Sequence, residues 1–165
     1  MASEFTVELV GFSAATKSLR ALSRSGATDV IKSANKKVGE HVAEEARKQA
    51  ARVSVRSQAN GVPLGRLYKK MSQPGANAIR TSRAQTKASI KIGYATSPWS
   101  LGLEFGSKQY RQFPVWRGNQ YPSKDKFAGG AGYVIYPAMR NSEEWVRRFY
   151  EDMFARELRK FLDVN

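Results

Sequence analysis

The apolar positions along the chain change their period several times, and each change predicts an element. In "FTVELVG", Phe5, Val7 and Leu9 alternate with Thr6, Glu8 and Val10, the two-residue period of a short strand. Ser13 then suits the cap of a short helix running to about Leu22, and "SRSGAT" reads as a linker. From Ala27 the period lengthens. Ile31, Ala34, Val38, Val42, Ala46 and Ala50 recur at three and four residues, which predicts a long amphipathic helix to about Arg52. Thr28 is its expected N-cap, with Asp29 in the first turn, and Glu44 and Lys48 are spaced as an attractive pair.

Three Gly and two Pro then break the pattern in "SVRSQANGVPLGRLYKKMSQPGANA". This stretch predicts a long basic loop over 55–78, and so long a loop in a compact domain is either disordered alone or ordered by a partner. Two strands follow, Ile79–Ser82 and Ser89–Tyr94, with Ile90 and Ile92 on one face. "SPWSLGLEF" predicts one helical turn stopped by Gly106, "QFPVW" is extended, and "KFAGGAG" reads as a flexible turn. "YVIYP" reads as a strand ending at Pro137. The last element is a helix from about Ser142 to Leu162, carrying Trp145, Phe149, Met153, Phe154, Leu158, Phe161 and Leu162 on a wide apolar stripe. Ser142 is its expected N-cap, ahead of Glu143 and Glu144. The predicted fold is α+β: two main helices, one long and Ala/Val-rich and one C-terminal, on a small, mostly antiparallel sheet, with a long basic loop.

Length places all of this in one domain, 1–165, large enough to bury a core. No apolar run approaches the ~20 residues of a membrane span, and "MASEFTVELVG" lacks the basic and apolar regions of a secretory signal. The absence of cysteine removes disulfides, thiolate metal sites and cysteine nucleophiles. Charge changes the picture most. Lys and Arg number 28 against 14 Asp and Glu, for a net charge of +14. Residues 58–139 alone carry +10, whereas 140–165 are neutral. The middle of the chain is therefore the expected working surface, facing a polyanionic partner.

Catalytic chemistry has little to draw on. His41 is the single histidine and has no nucleophile beside it in the pattern, so it reads as a helix-surface or half-buried side chain. "GGAG" lacks the Lys and Ser/Thr of a phosphate loop. The middle offers only two carboxylates, Glu104 and Asp125, and Asp125 lies in the solvated turn "SKDKF". No catalytic residue, metal ligand or cofactor is expected, and the chain is not read as an enzyme. Cations and aromatics do alternate in "RLYKK" and "KQYRQFPVWRG", which serves base stacking with phosphate contact or docking on a protein surface.

The order of parts carries a resemblance. "ASIKIGYATSPWSLGLEFGS", then "QFPVWRGN", then "GYVIYPAMRNSEEW" opening a final helix resemble the minor tail, neck or tail-completion proteins of long-tailed double-stranded DNA phages, of the lambda minor tail protein Z type. The matching pieces are a strand ending in Gly93, "LEFGS" from Leu103 to Ser107, "QFP" from Gln112 to Pro114, and "YPA" from Tyr136 to Ala138. The usual "D-T-G-x-L" turn of that family is replaced here by "QANGVPLGRL". The resemblance implies a structural virion protein, made in the host cytoplasm and placed in the neck or tail. It implies a homo-oligomeric cyclic ring, for which a hexamer is one candidate, between connector, terminator or tail-tube proteins, with double-stranded DNA passing through without sequence readout. The alternative reading is a sequence-nonspecific, basic nucleic-acid-binding protein.

Site expectations follow. Arg66, Lys69, Lys70, Arg80, Arg83 and Lys87 are expected to face DNA in the ring lumen. Trp99, Leu103, Glu104, Phe105, Phe113, Trp116 and Arg117 are expected at a subunit or partner interface, with Phe105 and Tyr136 also fitting a core. Glu104, between Leu103 and Phe105, is expected to be a structural acid paired with an arginine of its own or the next subunit.

Overall fold

The computed structural model describes residues 5–8, 26–76, 78–81, 88–93, 97–118 and 131–162. The expected helix at Ser13–Leu22, the sites Arg83 and Lys87, and most of "KFAGGAG" lie outside them. The described elements are β1 (Phe5–Glu8), α1 (Gly26–Arg52), α2 (Gly65–Ser72), a short 3-10 turn (Pro74–Ala76), β2 (Ile79–Thr81), β3 (Ser89–Ile92), α3 (Ser100–Phe105) and α4 (Ile135–Leu162). The fold is α+β, as expected. Among the described residues no helix is long and apolar enough to cross a membrane.

The sheet has the order β1-β3-β2 and is antiparallel throughout. Phe5 pairs with Ile92 on one side of β3, and Ile79 pairs with the same Ile92 on the other. Ile79, Ile90 and Ile92 are buried, and α1 lies against β2 and β3. At Gly39 helix and sheet are one side-chain contact apart: a Cβ there would stand 3.5 Å from the Thr81 methyl and 3.7 Å from the Ser89 carbonyl. Arg47 fastens the layers by donating to the Ile79 carbonyl at 3.0 Å.

The apolar stripe of α1 is the one read from its period. Ile31, Ala34, Val38, Val42, Ala46 and Ala50 are all buried. The helix starts at Gly26, so Thr28 falls inside the first turn rather than at the cap. Lys48 pairs with Glu45 at 2.8 Å and Glu44 with Arg47 at 3.4 Å, so the expected Glu44–Lys48 pair is replaced by two pairs three residues apart. Such exposed pairs add little to stability.

Two expectations are corrected. The loop at 55–78 contains α2, because Leu64, Tyr68 and Met71 form a helical stripe that buries itself against α1. The strand at "YVIYP" is instead the start of α4, which begins seven residues before Ser142. Pro137 is harmless in the first turn, where its missing N–H would have no partner within the helix. Ser142 is an interior residue whose buried Oγ has no hydrogen-bond partner among the described residues.

The two long helices meet along Val38, Val42, Val146, Tyr150 and Met153. Within this apolar seam the Tyr150 hydroxyl donates to Asn35 Oδ1 at 2.6 Å. Tyr150→Phe leaves the ring packing intact and removes that bond, so it is expected to cost about 1–2 kcal/mol. Urea unfolding should show a lower midpoint at unchanged slope. At the edge of the seam His41 stacks on Trp145 at 3.7 Å, and Trp145 on Phe149 at 5.1 Å. Burial draws the His41 pKa below its ordinary value, with Glu45 opposing. His41 is one ring of a helix-to-helix aromatic stack.

A buried carboxylate node and its basic surroundings

Glu104 is fully buried, in the last turn of α3. Its carboxylate is met by backbone amides, with the charge of Arg140 also acting on it. Oε2 accepts the backbone N–H of Val134 and of Ile135, both at 2.9 Å, and Oε1 accepts that of Tyr136 at 3.3 Å. These are the first amides of α4, donors that no turn of the helix itself can satisfy. Glu104 therefore caps α4 from about thirty residues upstream, and the charge of Arg140 favours its ionised form. The backbone repeats the link: the Tyr133 N–H donates to the Glu104 carbonyl at 2.8 Å. Burial pushes the carboxyl up to about 7, against the pull of the three amides and Arg140.

A raised carboxyl pKa is a common mark of an acid catalyst. Here both oxygens are engaged by backbone and the side chain has no exposed surface, so no substrate can reach it. Its chemistry is that of a structural cap.

Glycines let the chain close around this group. Gly132 has φ +69°, and a Cβ there would stand 2.2 Å from Glu104 Oε1. Gly106 has φ +71°, and its Cβ would stand 2.1 Å from the Val115 carbonyl oxygen. Gly102 lies against the Phe113 ring, where a Cβ would be 2.5 Å from a ring carbon. The three short pieces "LEFGS", "QFP" and "YPA" thus form one packed node. Ser107 donates its N–H to the Pro114 carbonyl at 3.0 Å, and Arg117 to that of Phe105 at 2.8 Å. Tyr133 Oη donates to the Val115 carbonyl at 2.8 Å, with the Arg117 guanidinium 4.0 Å above the Tyr133 ring. From α2, Tyr68 Oη donates to the Leu103 carbonyl at 2.6 Å, and burial holds its hydroxyl well above the usual tyrosine range.

One amide ties in the loop after α1. Gln58 Nε2 lies 2.7 Å from the Ser107 carbonyl, 2.9 Å from that of Pro114 and 3.2 Å from that of Phe113. Gln58 stands in the stretch "QANGVPLGRL", and sequence reasoning did not single it out. No local pattern marks a glutamine whose partners lie about fifty residues away.

The expected interface set is divided by burial. Leu103, Glu104 and Phe105 are enclosed by the chain's own fold. Trp99, Phe113 and Trp116 are partly buried hydrophobics packed against the core. Trp116 lies 6.2 Å from Phe105, and Lys70 Nζ lies 5.9 Å over the Trp99 ring. The large apolar side chains left outward beside them are Tyr110 and Val115.

The expected DNA-facing set is also divided. Arg66, Lys69 and Lys70 are exposed together on the outer face of α2, at spacings of three and four. Arg80 stands on β2, half-buried, and donates to the Gly93 carbonyl at 3.2 Å. Between Glu45 and Asp125 the sequence holds a single acid, Glu104. Because Glu104 is enclosed, the described surface of residues 53–118 exposes cations and no carboxylate. Among the described residues no group of three or more His, Cys, Asp and Glu is placed to hold a metal ion. No family model matches the chain, and neither a curated protein nor a solved structure matches it at a significant level.

Proposed function

We propose that the chain is a structural virion protein of a long-tailed double-stranded DNA phage. In this reading it acts at the head-to-tail junction as a neck or tail-completion subunit, in a ring around the DNA channel that joins connector to tail. The observation that carries the reading is the convergence of Leu103–Ser107, Gln112–Pro114 and Tyr136–Ala138 on one node. These pieces bear the resemblance, and each is short. Their packing makes their order and spacing a single structural requirement: the carboxylate of the first caps the helix that the third opens. The carboxylate-free surface of 53–118 supports a place beside DNA phosphate or an acidic neighbouring protein.

A second reading, a nonspecific nucleic-acid binder, is favoured by Arg66, Lys69 and Lys70 standing together beside Trp99. Light scattering of the purified chain across concentration, at low and high salt and with a short duplex, separates the two. The assembly protein is expected as a discrete ring, or as a monomer indifferent to duplex. A monomer that binds duplex tightly, with affinity falling steeply in salt, would establish the second reading in its place. In that case Arg66→Ala, Lys69→Ala and Lys70→Ala should each lower the salt slope by about 0.9 for the phosphate that the cation had neutralised.

A further inference from the structure

The loops around the node build a second feature that the node itself does not use. Residues 55–64 form a small hairpin: Ser57 N–H donates to the Val62 carbonyl at 2.9 Å, and Leu64 N–H to that of Val55 at 2.9 Å. Gly61, at φ +65°, turns it. The segment 107–115 is a second closed loop, with Ser107 Oγ accepting the Tyr110 N–H at 2.8 Å and Ser107 bridged to Val115. The two are joined edge to edge. Ala59 N–H donates to the Arg111 carbonyl at 2.8 Å, Gln58 N–H to that of Phe113 at 3.2 Å, and the Gln58 side chain adds its own bonds.

This paired-loop face is rigid by its bonding, yet it leaves apolar side chains in water. Val62 is 49% exposed, Tyr110 56% and Val115 57%. Arg56, Lys108 and Arg111 are exposed on the same two loops. Preformed loops lose little freedom on binding, and tyrosine and arginine are among the residues enriched at interface hot spots.

We propose that this face docks a protein surface that is acidic with an apolar centre. The inference deepens the assembly reading by naming the chemistry of a neighbour, and it rests on that reading. Two observations select the occupant. Valine side chains neither stack on bases nor pair with phosphate, so Val62 and Val115 favour a protein over a nucleic acid. The exposed charges are all cationic, so the complement is acidic. A second copy is a poor complement. The chain carries +14, and its two long helices, where most of its acids lie, each hold more cations than acids.

The test is a titration of the isotope-labelled full chain, followed residue by residue by NMR. The probes are a soluble peptide of Glu, Asp, Leu and Ala, polyglutamate of equal charge, and a short DNA duplex. The peptide is expected to shift Val62, Tyr110 and Val115, and to bind at least about ten-fold tighter than polyglutamate. Tyr110→Ser with Val115→Thr, both at exposed positions, should remove that advantage, and Lys69→Ala should keep it. Equal binding of peptide and polyglutamate, or shifts confined to α2, would overturn the inference. If the chain also forms its ring, the assembly reading survives that failure. Duplex binding by a monomer through this face would overturn both.

Discussion

Glu104→Ala should destabilise the chain by about 3–5 kcal/mol, a large part of the 5–15 kcal/mol typical of a domain. The substitution strands three amide donors at the start of α4 and empties the space beside Gly132. An unsatisfied buried donor costs about 1–3 kcal/mol. Glu104→Gln is the informative partner. It keeps one acceptor oxygen and removes the ionisation, so its effect should depend on pH. The folded carboxyl titrates near 7, above the ordinary 4.5. The folded chain therefore holds the proton more tightly than the unfolded chain. The stabilisation from that proton is fully present below about 4.5 and is lost as pH rises through 7. Between pH 5 and 8 the parent should lose roughly 2–3 kcal/mol that the glutamine variant does not. Denaturant midpoints of both proteins across this range measure the difference. Parallel curves would mean that the carboxyl keeps an ordinary pKa, and that the helix amides outweigh its burial.

Gly106→Ala should be as damaging, for a different reason. The new Cβ would meet the Val115 carbonyl oxygen at 2.1 Å and the Pro114 carbonyl oxygen at 2.7 Å. Both are backbone atoms, so no rotamer change relieves the clash, and φ +71° with ψ −167° is backbone that essentially only glycine adopts. A loss above about 3 kcal/mol is expected, together with opening of the loop that carries Tyr110. Gly61→Ala is the matched control. It has a similar φ, +65°, but nothing within 4 Å of the new Cβ, so only a backbone cost of about 1–2 kcal/mol remains. Similar losses at the two sites in thermal unfolding would show that the loop yields and that close approach at Gly106 is unimportant.

What could be read from the sequence was local. The stripe of α1, strands β2 and β3, and the turn of α3 stopped at Gly106 each depend on neighbours a few residues apart. What was misread depends on distant partners. α4 starts at "IYP" although Val134, Ile135 and Tyr136 favour strand, because its cap is supplied by Glu104 rather than by Ser142. α2 was hidden because Leu64, Tyr68 and Met71 stand among glycines and prolines that outweigh them in any window. For Glu104 the sequence supported burial and the need for a partner; the charge of Arg140 is of the expected kind, but the backbone amides that meet the carboxylate are not visible in a sequence. The same applies to Gln58, whose three carbonyl partners all lie across the chain.

The pairing of β1 with β3 has a consequence for the chain during its synthesis. Strand β1 ends at Glu8, and its partner is complete only at Ile92. At about 5–20 residues per second, the ribosome takes several seconds to supply that partner. Through this interval α1 can form and the β1 segment has no sheet to join. The amides of α4 that Glu104 caps arrive later again. The nascent protein thus has α1 and α2 before it has its sheet, and its sheet before its carboxylate node.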